Sequence, residues 1–155
     1  MRGFEWVPGV DCTGLSLPRR QTEGAAGYDL ALCEEVAVPA GKIVLAPTGV
    51  RALVPDGEFV GVFARSSLAL KYGLVLANGV GVIDSDYYGN PDNGGHIYVP
   101  LWNTGEADVL LPRGERVAQA IFLGFSLADG DDPAATVKRM GGFGSTNHPG
   151  GPLHR

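Results

Sequence analysis

Apolar residues in this chain fall in short runs broken by glycine and proline, without the three- and four-residue spacing of an amphipathic helix. Six runs have the length and β-branched or aromatic content of strands: Glu35-Val-Ala-Val-Pro39, Ile43-Val-Leu-Ala46, Glu58-Phe-Val-Gly-Val-Phe63, Leu74-Val-Leu-Ala77, His96-Ile-Tyr-Val-Pro-Leu101 and Val117-Ala-Gln-Ala-Ile-Phe-Leu123. The chain's 24 glycines and 11 prolines supply turns between them. Short strands at this spacing predict an all-β subunit, a jelly-roll-like barrel or sandwich. One short helix is predicted, Ser66-Ser-Leu-Ala-Leu-Lys-Tyr-Gly73, with serine as its N-cap and Gly73 as its C-cap.

No internal repeat or linker divides the chain, and 155 residues suit a single core. The pattern changes near Asp129. We expect one β domain over residues 1–137 and a flexible glycine-rich arm over 138–155, which contains Gly141-Gly-Phe-Gly-Ser-Thr146. A plain tail is the bland account of that arm. An arm that orders on a ligand is the sharper one, because Phe143 stands among glycines and hydroxyls.

Charge narrows the partners. The net charge is −5, without the basic surface that nucleic-acid binding requires. An anionic ligand should therefore be small and held by local groups. No apolar run reaches the length of a membrane span, and the polar N-terminus makes a cytoplasmic location the expectation. The two cysteines, Cys12 and Cys33, lack metal-ligand spacing, which argues against a zinc site or a disulfide framework.

The chemistry concentrates in a few segments. Asn78-Gly-Val-Gly-Val-Ile-Asp-Ser-Asp-Tyr-Tyr-Gly89 sets Asp84 and Asp86 beside two tyrosines in a strand-like hairpin. Turn capping explains such aspartates in general; a general base is the functional alternative. Arg65-Ser-Ser67 opens the short helix and offers a guanidinium and two hydroxyls to phosphate, although a capped helix with an exposed arginine would look the same. Arg116 and Gln119 are three apart in one strand, so a regular strand points them to opposite faces. Gln119 lies in an apolar run and needs a partner. Asp29 sits in a strand-like setting, a weak signal by itself. None of His96, His148 or His154 suggests a nucleophilic triad, and a carboxylate-activated water fits better.

In order, five segments resemble the five motifs of the trimeric dUTP nucleotidohydrolases: Ala26-Gly-Tyr-Asp-Leu30, Arg65-Ser-Ser-Leu-Ala69, Asn78 to Gly89, Gly114-Glu-Arg-Val-Ala-Gln119, and Gly141-Gly-Phe-Gly-Ser-Thr146. The resemblance spans about residues 23–147. It implies Mg²⁺-dependent hydrolysis of dUTP to dUMP and pyrophosphate, which removes dUTP from the nucleotide pool and supplies dUMP. It also implies a homotrimer with sites shared between subunits. Asp84 would activate the water, and Tyr87 would pack under the deoxyribose. Asn78, Val82 and Ile83 would read the uracil. Arg65, Ser66, Ser67 and Gln119 would hold phosphates, and Asp29 would meet Mg²⁺ through water, the ion resting mainly on the substrate. Phe143, with Gly144 and Ser145, would close over the nucleotide.

Two features depart from the family pattern. Lys138 takes the usual arginine position of the fifth motif, and Arg139 replaces a glycine; either could grip the γ-phosphate. The segment Asn90-Pro-Asp-Asn-Gly-Gly95 lengthens the loop after the third motif. Two rival readings remain. A dCTP deaminase shares the Arg-Ser-Ser-Leu-Ala segment but requires a glutamate at the base ring, where this hairpin offers Asp84. A nucleotide-binding regulator without turnover would not need Asp84.

Overall fold

The computed structural model describes residues 1–136, 139 and 141–143. Eleven strands are found among them: β1 (Gly3–Trp6), β2 (Tyr28–Ala31), β3 (Val36–Val38), β4 (Ile43–Pro47), β5 (Val50–Leu53), β6 (Glu58–Ala64), β7 (Leu74–Leu76), β8 (Gly81–Asp84), β9 (Tyr98–Asn103), β10 (Val109–Leu111) and β11 (Arg116–Gly124). A single α-helix, α1 (Ser66–Tyr72), joins β6 to β7. Each of the six predicted runs is a strand, although β9 begins at Tyr98 rather than His96.

The strands form four antiparallel sheets that do not close on themselves, with orders β2-β11-β6-β8, β4-β9-β7, β1-β5 and β10-β3. The two larger sheets contribute to one core. Leu30, Val60, Val62, Ala118 and Ala120 come from the first, and Ala46, Leu74, Val99 and Leu101 from the second. The result is the jelly-roll-like all-β subunit that the pattern predicts.

Two local expectations are corrected. Ser66 does not cap α1. Arg65 is the N-cap, in extended backbone with no side-chain cap bond, and Ser66 is the first helical residue. At the other end Gly73 does close the helix, at φ 66°, with its N–H donating to Ala69 O at 2.8 Å. The second correction concerns β11, where a register shift between Arg116 and Ala118 marks a bulge. Arg116 pairs with Ala31 and Gln119 with Asp29. Paired residues of antiparallel strands share a face, and so do Asp29 and Ala31, two apart on β2. The bulge therefore brings Arg116 and Gln119 to the same face, where a regular strand would oppose them.

That outward face has a definite composition. Following the pairing across β11, β6 and β8 places Asp29, Gln119, Phe63, Ile121, Gly61, Leu123, Phe59, Val82 and Asp84 on it. Its centre is apolar and only half-buried, and Phe63 and Leu123 fold over Gly61, where a Cβ would lie 2.6 Å from the Phe63 ring. Polar groups stand at its two ends.

Candidate active site

At one end Asp29 is gripped by two guanidinium groups. Arg65 Nε meets its Oδ1 at 3.1 Å and Arg116 Nη1 its Oδ2 at 3.0 Å. Arg65 also donates to Arg116 O at 3.2 Å, which ties α1 to β11. Gln119 finds the partner its apolar setting requires, since Nε2 donates to Ala64 O at 3.1 Å. A Cβ on Gly27 would come within 2.2 Å of Gln119 Oε1, so glycine there makes room for the amide. Ser66 and Ser67 are exposed beside this cluster. Two arginines against one aspartate leave a net positive corner lined with hydroxyl and amide groups, a setting suited to phosphate.

The opposite edge holds the hairpin. Asp84 ends β8, and Ser85–Tyr87 form a single 3₁₀ turn. Asp84 precedes this turn but makes no side-chain cap bond, so turn capping does not explain it. Its side chain is 44% exposed and accepts from Arg139 Nη2. Asp86 Oδ1 accepts from Arg139 Nε at 2.9 Å. Tyr87 is 6% exposed; its hydroxyl donates to His96 O at 2.8 Å and accepts from Asn93 Nδ2 at 2.9 Å. Burial pushes its phenol pKa above the usual value, so the ring stays neutral. Val82 is 59% exposed and Asn78 is exposed, whereas Ile83 packs against the core. Phe143 is 47% exposed at φ 49°. Lys138, Gly144 and Ser145 lie outside the described residues.

The structure thus gathers Asp29, Arg65, Ser66, Ser67 and Gln119 at one end, and Val82, Asp84, Tyr87 and Arg139 at the other. It does not bring the two groups together. Gln119 pairs with Phe63, four residues along β6 from Phe59, which pairs with Asp84. Two strand spacings and four residues of rise put Gln119 and Asp84 roughly 17 Å apart in one chain. Sequence reasoning missed Asn90 and Asn93, which surround Tyr87, and placed Arg116 on the face opposite Gln119. The signal for Arg116 was the bulge, which residue alternation alone does not reveal.

The donor set does not suit a protein-held metal. Both Asp29 oxygens are already ion-paired, and no group of three or more His, Cys, Asp or Glu poised to hold an ion exists among the described residues. A cation arriving on the phosphates of a ligand would need no such cage.

An open all-β fold with a cationic corner at one end of its outward face and a half-exposed aspartate at the other defines the class, a protein of jelly-roll-like architecture. Comparison with known proteins gives the family. The dUTPase family model matches residues 14–147. Deoxyuridine 5'-triphosphate nucleotidohydrolase from Lactococcus lactis subsp. lactis is 47% identical over 146 residues, covering 94% of this chain and 97% of that protein. The protein of the same name from Desulfitobacterium hafniense is 47% identical over 140 residues, 84% of this chain and 86% of its own length. The crystal structure of dUTPase from Streptococcus mutans superposes with a TM-score of 0.79 at 50% identity, covering 83% of this chain and 99% of that one. The chain belongs to the dUTPase family.

Proposed function

We propose that this dUTPase cleaves dUTP between the α- and β-phosphates through a water activated by Asp84. Asp84 takes a proton from the water, whose oxygen bonds to the α-phosphorus. The bond from that phosphorus to the bridging oxygen breaks, and pyrophosphate leaves with the electron pair, giving dUMP. The observation that carries this reading is Asp84 itself: half-exposed at a strand end, uninvolved in capping, and immediately before the turn that buries Tyr87. The Tyr87 ring is the platform for the deoxyribose, and Asn78, Val82 and Ile83 border the base. Arg65, Ser66, Ser67 and Gln119 hold phosphates, with Lys138 or Arg139 at the γ-phosphate and Phe143, Gly144 and Ser145 closing the site from the arm.

The substrate is the Mg²⁺ complex of dUTP, in which the ion neutralises phosphate charge. Asp29 keeps Arg65 and Arg116 in place and would meet the ion only through water. The roughly 17 Å between Gln119 and Asp84 supports a site assembled from different chains, because one triphosphate cannot place its α-phosphorus beside both. The half-buried apolar face of Phe59, Phe63, Ile121 and Leu123 supports the same conclusion, since such a face favours a partner surface. We therefore expect a homotrimer with shared sites, working in the cytoplasm.

The test is Asp84→Asn, which keeps size and removes the base. Turnover of dUTP should fall on the order of 10²–10⁴-fold while nucleotide still binds. Near-normal turnover would refute the role.

A further inference from the structure

The Asn90–Gly95 loop carries no catalytic group, yet it is built more tightly than a connecting loop needs to be. Asn90 is 4% exposed, and both its side-chain polar atoms are engaged. Its Nδ2 donates to Tyr87 O at 2.8 Å and to Asn93 Oδ1 at 2.9 Å, and its Oδ1 accepts from the N–H groups of Asp92 and Asn93, each at 3.1 Å. Gly95, at φ 90°, presses on the hairpin so closely that a Cβ there would lie 3.0 Å from Gly89 N and Tyr88 Cα and 3.1 Å from Tyr87 O. Backbone bonds close the loop, from Gly89 N–H to Gly94 O at 3.2 Å and from Gly94 N–H to Asn90 O at 2.9 Å.

A self-capping turn would account for Asn90 Oδ1 and for Asn93 Oδ1, which accepts from Gly95 N–H at 3.0 Å. It does not account for Asn93 Nδ2. That group leaves the loop and donates to the Tyr87 hydroxyl at 2.9 Å, while the hydroxyl donates onward to His96 O at 2.8 Å. The phenol is thus held at the far end of its ring by one donor and one acceptor, and its backbone carbonyl is held by Asn90. Tilt and depth of an aromatic ring are soft coordinates unless the polar tip is fixed, and here it is fixed from two sides.

We propose that Asn93, supported by Asn90, is a positioning residue that sets the depth of the Tyr87 ring and thereby the discrimination against nucleotides bearing a 2′-hydroxyl. The inference rests on the reading of Tyr87 as the platform for the deoxyribose. A ring held high leaves no space at C2′; a ring free to sink by a fraction of an ångström admits the hydroxyl. Asn93 acts only through Tyr87.

The experiment compares kcat/KM for dUTP and UTP, each with Mg²⁺, in the full-length protein and five variants: Asn93→Ala, Asn93→Asp, Tyr87→Phe, Tyr87→Phe with Asn93→Ala, and Tyr87→Ala. Asn93→Asp keeps the oxygen that Asn90 and Gly95 donate to, so the loop stays closed, but removes the N–H that the phenol accepts. The dUTP-to-UTP ratio should fall about fivefold in Asn93→Ala and in Asn93→Asp, a typical consequence of losing one buried hydrogen bond. The fall should come through faster use of UTP. Asn93→Ala should add nothing on the Tyr87→Phe background. A ratio unchanged in Asn93→Asp, or a further fall in the double variant, would overturn the proposal, because Asn93 would then only support the loop. Tyr87→Ala separates the two readings. If it narrows the ratio while Asn93→Asp does not, only the positioning role fails; if it leaves the ratio unchanged, the sugar platform fails too.

Discussion

Arg139 donates from Nη2 to Asp84 Oδ2, and the same guanidinium donates from Nε to Asp86 Oδ1 at 2.9 Å. It is thus committed to two carboxylates of the hairpin and, through Nη1, to Gly141 O at 3.2 Å. An arginine so engaged is poorly placed to serve a γ-phosphate. In the proposed site the burden would then fall on Lys138, a point charge without a bidentate grip.

Lys138→Ala should accordingly lower kcat/KM for dUTP by about tenfold, in line with losing a charged hydrogen bond. Arg139→Ala breaks ion pairs whose two carboxylates are half-exposed and should change it by less than about fivefold. Steady-state kinetics on the two variants checks this. Equal losses would show that Arg139 leaves the carboxylates to hold phosphate.

A site divided between chains should be repairable by mixing. Asp84→Asn and Arg65→Ala damage opposite ends of the outward face, and each should be nearly inactive alone. Denatured together at equal concentration and refolded, they should recover about a quarter of normal activity, the fraction of sites that draw both intact ends from different chains. Activity no greater than the sum of the two parents would mean that each chain builds its own site.

His96 is buried against Tyr98, and its Nε2 accepts from Gly49 N–H at 2.8 Å, so it is neutral in the fold. Burial lowers its pKa from the ordinary 6.5 to about 4. The unfolded chain takes up a proton near the ordinary value, while the folded chain resists until about 4. The contribution to stability is therefore complete above pH 6.5 and is lost as the pH falls from there to about 4. Discounted for solvent screening, it is on the order of 2 kcal/mol. Urea midpoints at several pH values should show His96→Gln with a flatter acid slope than the unmodified protein; parallel slopes would rule this out.

Gly49 has φ 72°, and a Cβ there would come within 2.4 Å of Cys12 Sγ and 3.2 Å of Cys33 Cβ. Both strain and collision oppose a side chain, so Gly49→Ala should destabilise the fold by about 2–4 kcal/mol. A thermal melt within a degree or two of the unmodified protein would contradict the packing described around the two cysteines.

Architecture was legible because turn residues and β-branched runs are local signals. All six runs picked from the pattern are strands, and Asp29 and Asp84 lie in strands too. The pattern does not predict β1, because Gly3-Phe-Glu-Trp6 is short and mixed in polarity and gains its order from pairing with β5. The pairing of Asp29 with Arg65 and Arg116 was hidden for a related reason: it joins residues far apart in the chain. Nothing in Asn90-Pro-Asp-Asn-Gly-Gly95 beyond turn chemistry announces that Asn93 reaches Tyr87. The cap of α1 was misplaced by one residue, since propensity favours serine over arginine where the chain geometry puts the cap at Arg65.

The bulge in β11 gives that strand two phases, one on each side of a single surplus residue. Everything from Ala118 onward obeys one alternation, and Arg116 obeys the other. Inserting one residue after Arg116 would hardly lengthen the strand, but with the bulge kept it would turn the Arg116 guanidinium to the opposite, buried face. The length of β11 is therefore a coding element in its own right. Single-residue insertions between Arg116 and Ala118 should be tolerated far worse than substitutions there, because they change which residues belong to the site and which to the core.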